Sequence, residues 1–226
     1  MSGPSFTEQA QAFRDGRLLR VVNYHNTPAA QREEIRRELT GYAERYACVL
    51  PEHLDAFYAT GRWPLDRPGF IPVFYDGYRN NATVAAPLCD ELGITAWFFP
   101  PTGFIDTPVA EQRAYAEAHH ITLVESEHSQ DQLAMTWDDL TRIGERHVVA
   151  AHTSSHARAA HLVTREAIQE EAVGPAQKIE KVTGRPAAAF AWLGGTPFDP
   201  ASPANAALRD LGIRYCFSNT KIQRIQ

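Results

Sequence analysis

The sequence has no excess of positive charge and few cysteines. Its 22 Lys and Arg residues are outnumbered by 27 Asp and Glu residues, which gives a formal net charge of -5. Proteins that bind nucleic acids usually carry a basic patch, so we expect no nucleic-acid partner. The three cysteines, Cys48, Cys89 and Cys216, are odd in number and far apart. This spacing indicates neither a disulfide framework nor a zinc knuckle, and we expect three reduced thiols.

The sequence also lacks a long hydrophobic run. None approaches the roughly 20 apolar residues that a membrane-spanning helix needs. Residues 1–11 are polar and contain no apolar segment typical of a signal peptide. We therefore expect a cytoplasmic protein with no membrane partner, while its oligomeric state stays open. The 226 residues, 44% of them hydrophobic, suffice for one sizeable core, and no linker divides them. We expect a single domain over residues 1–226.

Strands alternate with helices along the chain. Apolar runs predict strands at 18–24, 71–75, 95–99, 148–151, 187–192 and 215–218. Amphipathic spacing predicts helices at 30–46, 54–60, 82–92, 136–146, 164–183 and 204–211. This alternation is typical of an α/β fold with a mostly parallel sheet. The polar stretch 125–133 is predicted to be a surface loop.

Polar residues that can do chemistry follow several of these strands. Ligands bind at the carboxyl ends of strands in such folds, and Asp76, His152 and His25 each follow an apolar run. His152 and His156 are four residues apart, so a helical turn would bring them onto one face. Two histidines and a carboxylate can hold zinc with one position open. The alternative is that an HxxxH pair arises by chance in a chain with nine histidines.

The order of several segments carries a family resemblance. The segments YHN, VFYDGYRNN, AWFFPPTGFID, MTWDDL, RHVVAAHTSSH and TGRPAAAFAWLGG lie between residues 21 and 218. With them the chain resembles the polysaccharide deacetylases, the NodB-homology group or carbohydrate esterase family 4. The resemblance implies a single-domain, NodB-like deformed (β/α) barrel of about seven parallel strands. It also implies a metal-dependent hydrolase whose metal ligands are Asp76, His152 and His156.

The chain departs from the family pattern where the catalytic base is expected. The family's base aspartate falls on Tyr75, and a phenol is ordinarily a poor proton acceptor at neutral pH. The arginine that steadies this base has no counterpart at Ala191. The family's late histidine, a general acid, does not occur before Gln226. The backbone N–H that resembles the family's oxyanion donor belongs to Gly194.

The resemblance implies a hydrolase of non-peptide carbon–nitrogen amide bonds, with de-N-acetylation of an N-acetylated sugar or glycoconjugate as the leading activity. We expect one divalent metal ion, with zinc favoured, and a small-molecule or oligosaccharide substrate. Tyr75 would act as weak base, hydrogen-bond donor or plug, while His25, Tyr78 and Trp192 would bind substrate. The alternatives are a catalytically impaired member that binds metal and carbohydrate, and a structural barrel without metal.

Overall fold

The computed structural model describes residues 5, 7, 11, 19–124, 131–219 and 221–225. Its strands are β1 Leu19–Tyr24, β2 Ala47–Cys48, β3 Gly69–Tyr75, β4 Trp97–Phe99, β5 Val148–Val149, β6 Ala151–His152, β7 Ala189–Ala191, β8 Tyr215–Ser218 and β9 Lys221–Arg224. Its α-helices are α1 Arg32–Arg45, α2 Pro51–Thr60, α3 Ala86–Glu91, α4 Thr102–Asp106, α5 Gln112–Ala118, α6 Trp137–Arg146, α7 Arg165–Ile168, α8 Gly174–Thr183 and α9 Pro203–Asp210.

The strands form two sheets that meet at one shared strand position. Parallel pairing gives the order β1-β3-β4-β5 in the first sheet, with β2 beside the start of β3. The second sheet has the order β6-β7-β8-β9, and only β9 runs antiparallel to its neighbour. Ala150 separates β5 from β6, and its N–H donates to the Phe98 carbonyl at 2.8 Å. Hence β5 and β6 act as one strand that passes from one sheet to the other. The predicted α/β fold with a deformed, NodB-like barrel is confirmed.

The central strand β3 is buried along its whole length because both of its faces are covered. Phe70 and Phe74 pack into a core cluster that also contains Leu88 of α3. Tyr75 joins a second cluster, which contains Phe217 of β8. Burial on both faces explains why this strand is a continuous apolar run rather than an alternating pattern. It also places the Tyr75 side chain on the inner face of the barrel.

Two predicted helices contain a π-helical turn. The helix predicted at 164–183 consists of α7, a π turn at Gln169–Val173, and α8. The one predicted at 82–92 begins with a π turn at Asn81–Ala85. In the first case, the Glu171 carbonyl within the π turn accepts the Ser154 N–H at 3.0 Å. This contact joins distant parts of the chain, so no local sequence pattern predicts it.

Several short elements were not predicted. They are β2, β9, α4 and α5, each too short to show a clear hydrophobic period. Within the predicted loop 125–133, residues 125–130 lie outside the described residues. Its end is not a surface loop, because Leu133 is buried and its N–H donates to the Gln112 Oε1 at 2.8 Å. No helix in the described part of the chain combines the length and apolar character needed to cross a membrane.

Candidate metal centre and pocket

Asp76 lies at the carboxyl end of β3, in a left-handed turn. Its φ is 67°, and that of Gly77 is also 67°. Glycine adopts this conformation readily, whereas an aspartate does so at some cost. A Cβ atom on Gly77 would lie only 3.1 Å from Cβ of Pro100, and the Gly77 carbonyl accepts the N–H of Met135 at 2.9 Å. Contacts on both sides therefore hold the turn that positions Asp76.

His152 ends β6, and His156 follows it through a turn. The prediction of a helical turn is wrong, because the chain leaves β6 in a tight turn in which φ of His156 is 59°. The ring centroids are nevertheless 5.2 Å apart. The Thr153 N–H donates to Nδ1 of His152 at 2.8 Å. Nδ1–H of His156 donates to the His119 carbonyl at 2.7 Å, which orients the ring so that Nε2 faces Asp76.

Asp76, His152 and His156 form a buried cluster whose ligand atoms all lie within 4.8 Å of one another. Nε2 of His156 is 3.3 Å from Oδ1 of Asp76. Burial opposes charge on both groups, but their hydrogen bond and mutual attraction outweigh it. The pKa of Asp76 is therefore lowered and the pKa of His156 is raised. Burial and the neighbouring His156 lower the pKa of His152 to about 3. Two imidazoles and one carboxylate make a possible site for a divalent cation.

The turn between the two histidines is anchored from outside. The Ser155 N–H donates to Oε2 of Glu171 at 2.9 Å, and its hydroxyl donates to Oε1 at 2.6 Å. The Ser154 carbonyl accepts the Tyr115 hydroxyl at 3.0 Å and the Gly103 N–H at 2.9 Å. Glu171 also accepts the Ser154 N–H through its own carbonyl at 3.0 Å. The π turn in the helix thus presents both the side chain and the backbone of Glu171 to this loop.

Tyr75 and His25 lie side by side at the ends of β3 and β1. The parallel register of these strands makes the two residues neighbours, with ring centroids 5.4 Å apart. The Tyr75 ring also meets His152 edge-on at 6.3 Å. Burial, and then the charge of Asp76, raise the pKa of the Tyr75 phenol. His25 is exposed. The Tyr75 phenol is therefore poorly suited to accept a proton, and His25 is the solvent-accessible member of the pair.

Two connected spaces border the cluster. The inner one has a volume of about 50 Å³. Its lining residues are His25, Tyr75, Asp76, His152, His156, Trp192, Leu193, Gly194, Gly195, Phe217 and Asn219. The outer groove has about 460 Å³ and shares with the inner space His25, Asp76, His156, Leu193, Gly194 and Asn219. Another cavity of about 480 Å³ lies at the opposite ends of the strands, near Thr95 and Val148, and contains none of the cluster.

Two residues predicted to bind substrate have side chains packed inside the protein. The Trp192 indole is 2% exposed, lies 4.5 Å from the Phe190 ring and donates to Oδ1 of Asn205 at 2.9 Å. Tyr78 is 1% exposed, and its hydroxyl donates to the Thr122 carbonyl at 2.8 Å. Although both residues border a space at the site, neither offers a free ring face for a sugar. The burial of both rings argues against a role in stacking on a sugar.

Gly194 lines both spaces, as expected for a residue near the reacting group. It adopts φ 73° within a short turn that follows β7. Sequence reasoning missed three residues. Glu171 anchors the loop between His152 and His156, and His120 and Asn219 line the groove. The adjacent pair His119-His120 is the one signal in the sequence that could have pointed to this part of the groove.

The family model described as polysaccharide deacetylase matches residues 70–216, well over half of the chain. The chain therefore belongs to the polysaccharide deacetylase family, and this membership supports carbohydrate de-N-acetylation. Comparison with curated protein sequences finds no significant match.

Solved structures show the same fold at low sequence identity. The Streptococcus pyogenes deacetylase PplD in complex with acetate is 12% identical, with a TM-score of 0.63 over 87% of this chain and 80% of that one. A de-N-acetylase from Aggregatibacter actinomycetemcomitans is 17% identical, with a TM-score of 0.64 over 92% and 90% of the two chains. IcaB from Ammonifex degensii is 18% identical, with a TM-score of 0.64 over 89% and 86%.

We predict that Glu171→Ala weakens zinc binding on the order of tenfold, because the loop between the two histidines loses its anchor. The zinc affinity of Glu171→Gln, which keeps one acceptor oxygen, should lie between those of the wild-type protein and Glu171→Ala. The measurement is zinc affinity by competition with a chelating dye. The exposed neighbour Glu170→Ala is the matched control. Wild-type affinity in Glu171→Ala would contradict the anchoring role.

Proposed function

We propose that this protein is a metal-dependent amidase that removes acetyl groups from N-acetylated sugars or glycoconjugates. One observation carries the proposal: Asp76, His152 and His156 converge at the carboxyl ends of the strands in a member of the polysaccharide deacetylase family. Such strand ends are where barrel enzymes place their catalytic groups. Carbohydrate is the substrate class that family membership supports.

The three residues fit a single divalent cation, and we propose zinc. The donor set of two imidazoles and one carboxylate is typical of catalytic zinc sites that leave a position open. His156 suits this role because the His119 carbonyl accepts its Nδ1–H and orients Nε2 towards Asp76. When bound, such a cation polarises a carbonyl and lowers the pKa of water. The protein's part is to hold the ligands in place and to keep Asp76 ionised.

Tyr75 occupies the position of the family's base but is poorly suited to accept a proton. Its side chain is 8% exposed, and burial raises its pKa further above the ordinary value of a phenol. We propose that Tyr75 instead closes the floor of the inner space beside His152 and excludes water there. A small space favours a small acyl group, as in an acetamide.

His25 is the residue that we propose moves the proton. It is exposed at the end of β1, beside Tyr75, and it borders both the inner space and the outer groove. Histidine exchanges protons near neutral pH. A group here can donate a proton to the amine that leaves when the carbon–nitrogen bond breaks. The general acid would then come from the first strand of the chain, whereas the family pattern led us to look for a late histidine.

Gly194 is the proposed donor to the carbonyl oxygen of the substrate. Its left-handed φ of 73° is a conformation that glycine adopts freely, and a Cβ there would lie 3.4 Å from Nη1 of Arg158. Backbone N–H groups aimed at a developing oxyanion are worth roughly 10² to 10³ in rate. This role rests on the family resemblance and on the location of Gly194 in the lining of both spaces.

A second candidate function is binding of carbohydrate without turnover. The burial of Tyr75 at the base position favours it, because no carboxylate there can activate water. The two functions differ in what the site does to an acetylated sugar, and the Tyr75 series below separates them.

We predict that Tyr75→Asp raises the rate of acetate release from acetylated chito-oligosaccharides, by up to about 10². A carboxylate would restore a proton acceptor beside the proposed cation. Tyr75→Phe is the matched control, since it keeps the buried ring and removes only the hydroxyl. Loss of an existing activity in Tyr75→Phe, with metal retained, would show that the hydroxyl takes part. If neither Tyr75→Asp nor Tyr75→Phe changes the rate of acetate release, binding without turnover becomes the better account.

We predict that His25→Ala lowers kcat/KM for an acetylated amino sugar by about 10² or more. Activity on 4-nitrophenyl acetate should fall much less, since nitrophenolate leaves without a proton. An equal loss on both substrates would contradict the acid role and indicate a general effect on the site.

A further inference from the structure

Four non-glycine residues of the described chain adopt left-handed backbone conformations, and all four line the outer groove. Their φ values are 67° for Asp76, 57° for His120, 59° for His156 and 53° for Asn219. Residues with a Cβ adopt this conformation rarely, and such strain gathers at functional sites. Asp76 and His156 are proposed metal ligands. The proposed function gives no role to His120 or Asn219.

The backbone around His120 is firmly held. The His119 carbonyl accepts Nδ1–H of His156, so this segment is tied to the proposed metal ligand. One residue further on, the Ile121 N–H donates to the Ala116 carbonyl at 2.9 Å. Beyond it, the Thr122 carbonyl accepts the Tyr78 hydroxyl at 2.8 Å. These contacts fix where the exposed His120 side chain enters the groove.

Asn219 enters the groove from the other sheet. It follows β8 at the hairpin to β9 and borders both the inner space and the outer groove. Its amide lies against the turn after β7: a Cβ on Gly195 would be 2.4 Å from Nδ2 of Asn219. A side chain at Gly195 is therefore incompatible with this position of the amide. The approach also puts Asn219 next to Gly194, the proposed oxyanion donor.

The hydrogen-bonding groups of the groove suit a hydroxyl-rich ligand. Among its described lining residues there is no Lys or Arg, and Asp76 is the one carboxylate. The Arg158 guanidinium lies behind this lining, because a Cβ on Gly194 would be 3.4 Å from its Nη1. A carboxamide and an imidazole can each donate and accept hydrogen bonds, as sugar hydroxyls and acetamido groups do. The groove, at about 460 Å³, is also far larger than the inner space.

We propose that His120 and Asn219 bind the sugar next to the reacting acetamide and so determine substrate specificity. The inference rests on the proposed function, since it assigns the two residues to the same site. The pair spans the groove from two different elements, so it recognises a ring of an N-acetylated oligosaccharide rather than the acetyl group itself. The left-handed backbone at both positions places their side chains at the lining of the groove.

The test uses His120→Gly and Asn219→Gly, because glycine keeps the left-handed backbone without strain. We expect KM for acetylated chitotetraose to rise about tenfold in each variant, the loss of one useful hydrogen bond. We expect kcat to change less than threefold, zinc content to stay at the wild-type level, and the Tm not to fall. The exposed His161→Gly, outside the groove, is the matched control. A structural role would instead lower Tm, zinc content and kcat together, and that result would overturn the proposal.

Calorimetric titration with the same tetrasaccharide separates this inference from the proposed function. If the wild-type protein binds the sugar but releases no acetate, the proposed function fails. The variants then still decide the inference: weaker binding supports it and unchanged binding overturns it. If the wild-type protein hydrolyses the sugar and both glycine variants keep its KM, the inference fails while the proposed function stands. If the wild-type protein neither binds nor hydrolyses it, both fail.

Discussion

The candidate site depends on the hydrogen bond between Asp76 and His156. Burial opposes charge on both groups, but this contact at 3.3 Å lowers the pKa of Asp76 and raises the pKa of His156. Three features position the two groups. They are the left-handed turn after β3, the turn after β6, and the His119 carbonyl, which accepts the Nδ1–H of His156. A divalent cation can replace the shared proton between such groups, because it attracts the carboxylate and binds the neutral imidazole. The same arrangement therefore makes a possible site for a divalent cation.

The position of Tyr75 limits which side chains can transfer protons at the proposed site. It lies on the inner face of the barrel between His25 and His152, where a carboxylate would be stabilised by a bound cation. A buried phenol offers no such acceptor. The proton-transfer role thus falls on His25, which parallel pairing of β1 with β3 brings to the same rim. This proposal explains how a member without the usual base could keep a slow hydrolytic activity.

Much of the fold follows from hydrophobic pattern alone. The alternation of apolar runs and amphipathic segments predicts the parallel sheet, and Asp76, His152 and His25 were singled out because they follow strands. What the pattern missed depends on contacts between distant residues. No local pattern shows that the Glu171 carbonyl accepts a hydrogen bond from the Ser154 N–H rather than from its own helix. Nor does any local pattern show that the Trp192 indole donates to Asn205 inside the protein. Tyr78 is an aromatic residue close to Asp76, and the sequence therefore suggests that it binds sugar. In the structure its hydroxyl instead donates to the Thr122 carbonyl in the segment after α5.

The central claim is that a cation held by Asp76, His152 and His156 is required for deacetylation. Its most direct measurement is zinc content by elemental analysis together with acetate release from acetylated chito-oligosaccharides. Both should be measured on the wild-type protein as purified, after chelation and after zinc is restored, and on the folded His152→Ala variant. The account predicts about one zinc per chain, activity that is lost on chelation and recovers with zinc, and neither zinc nor activity in the variant. Full zinc content in the variant, or acetate release that survives chelation, would contradict it.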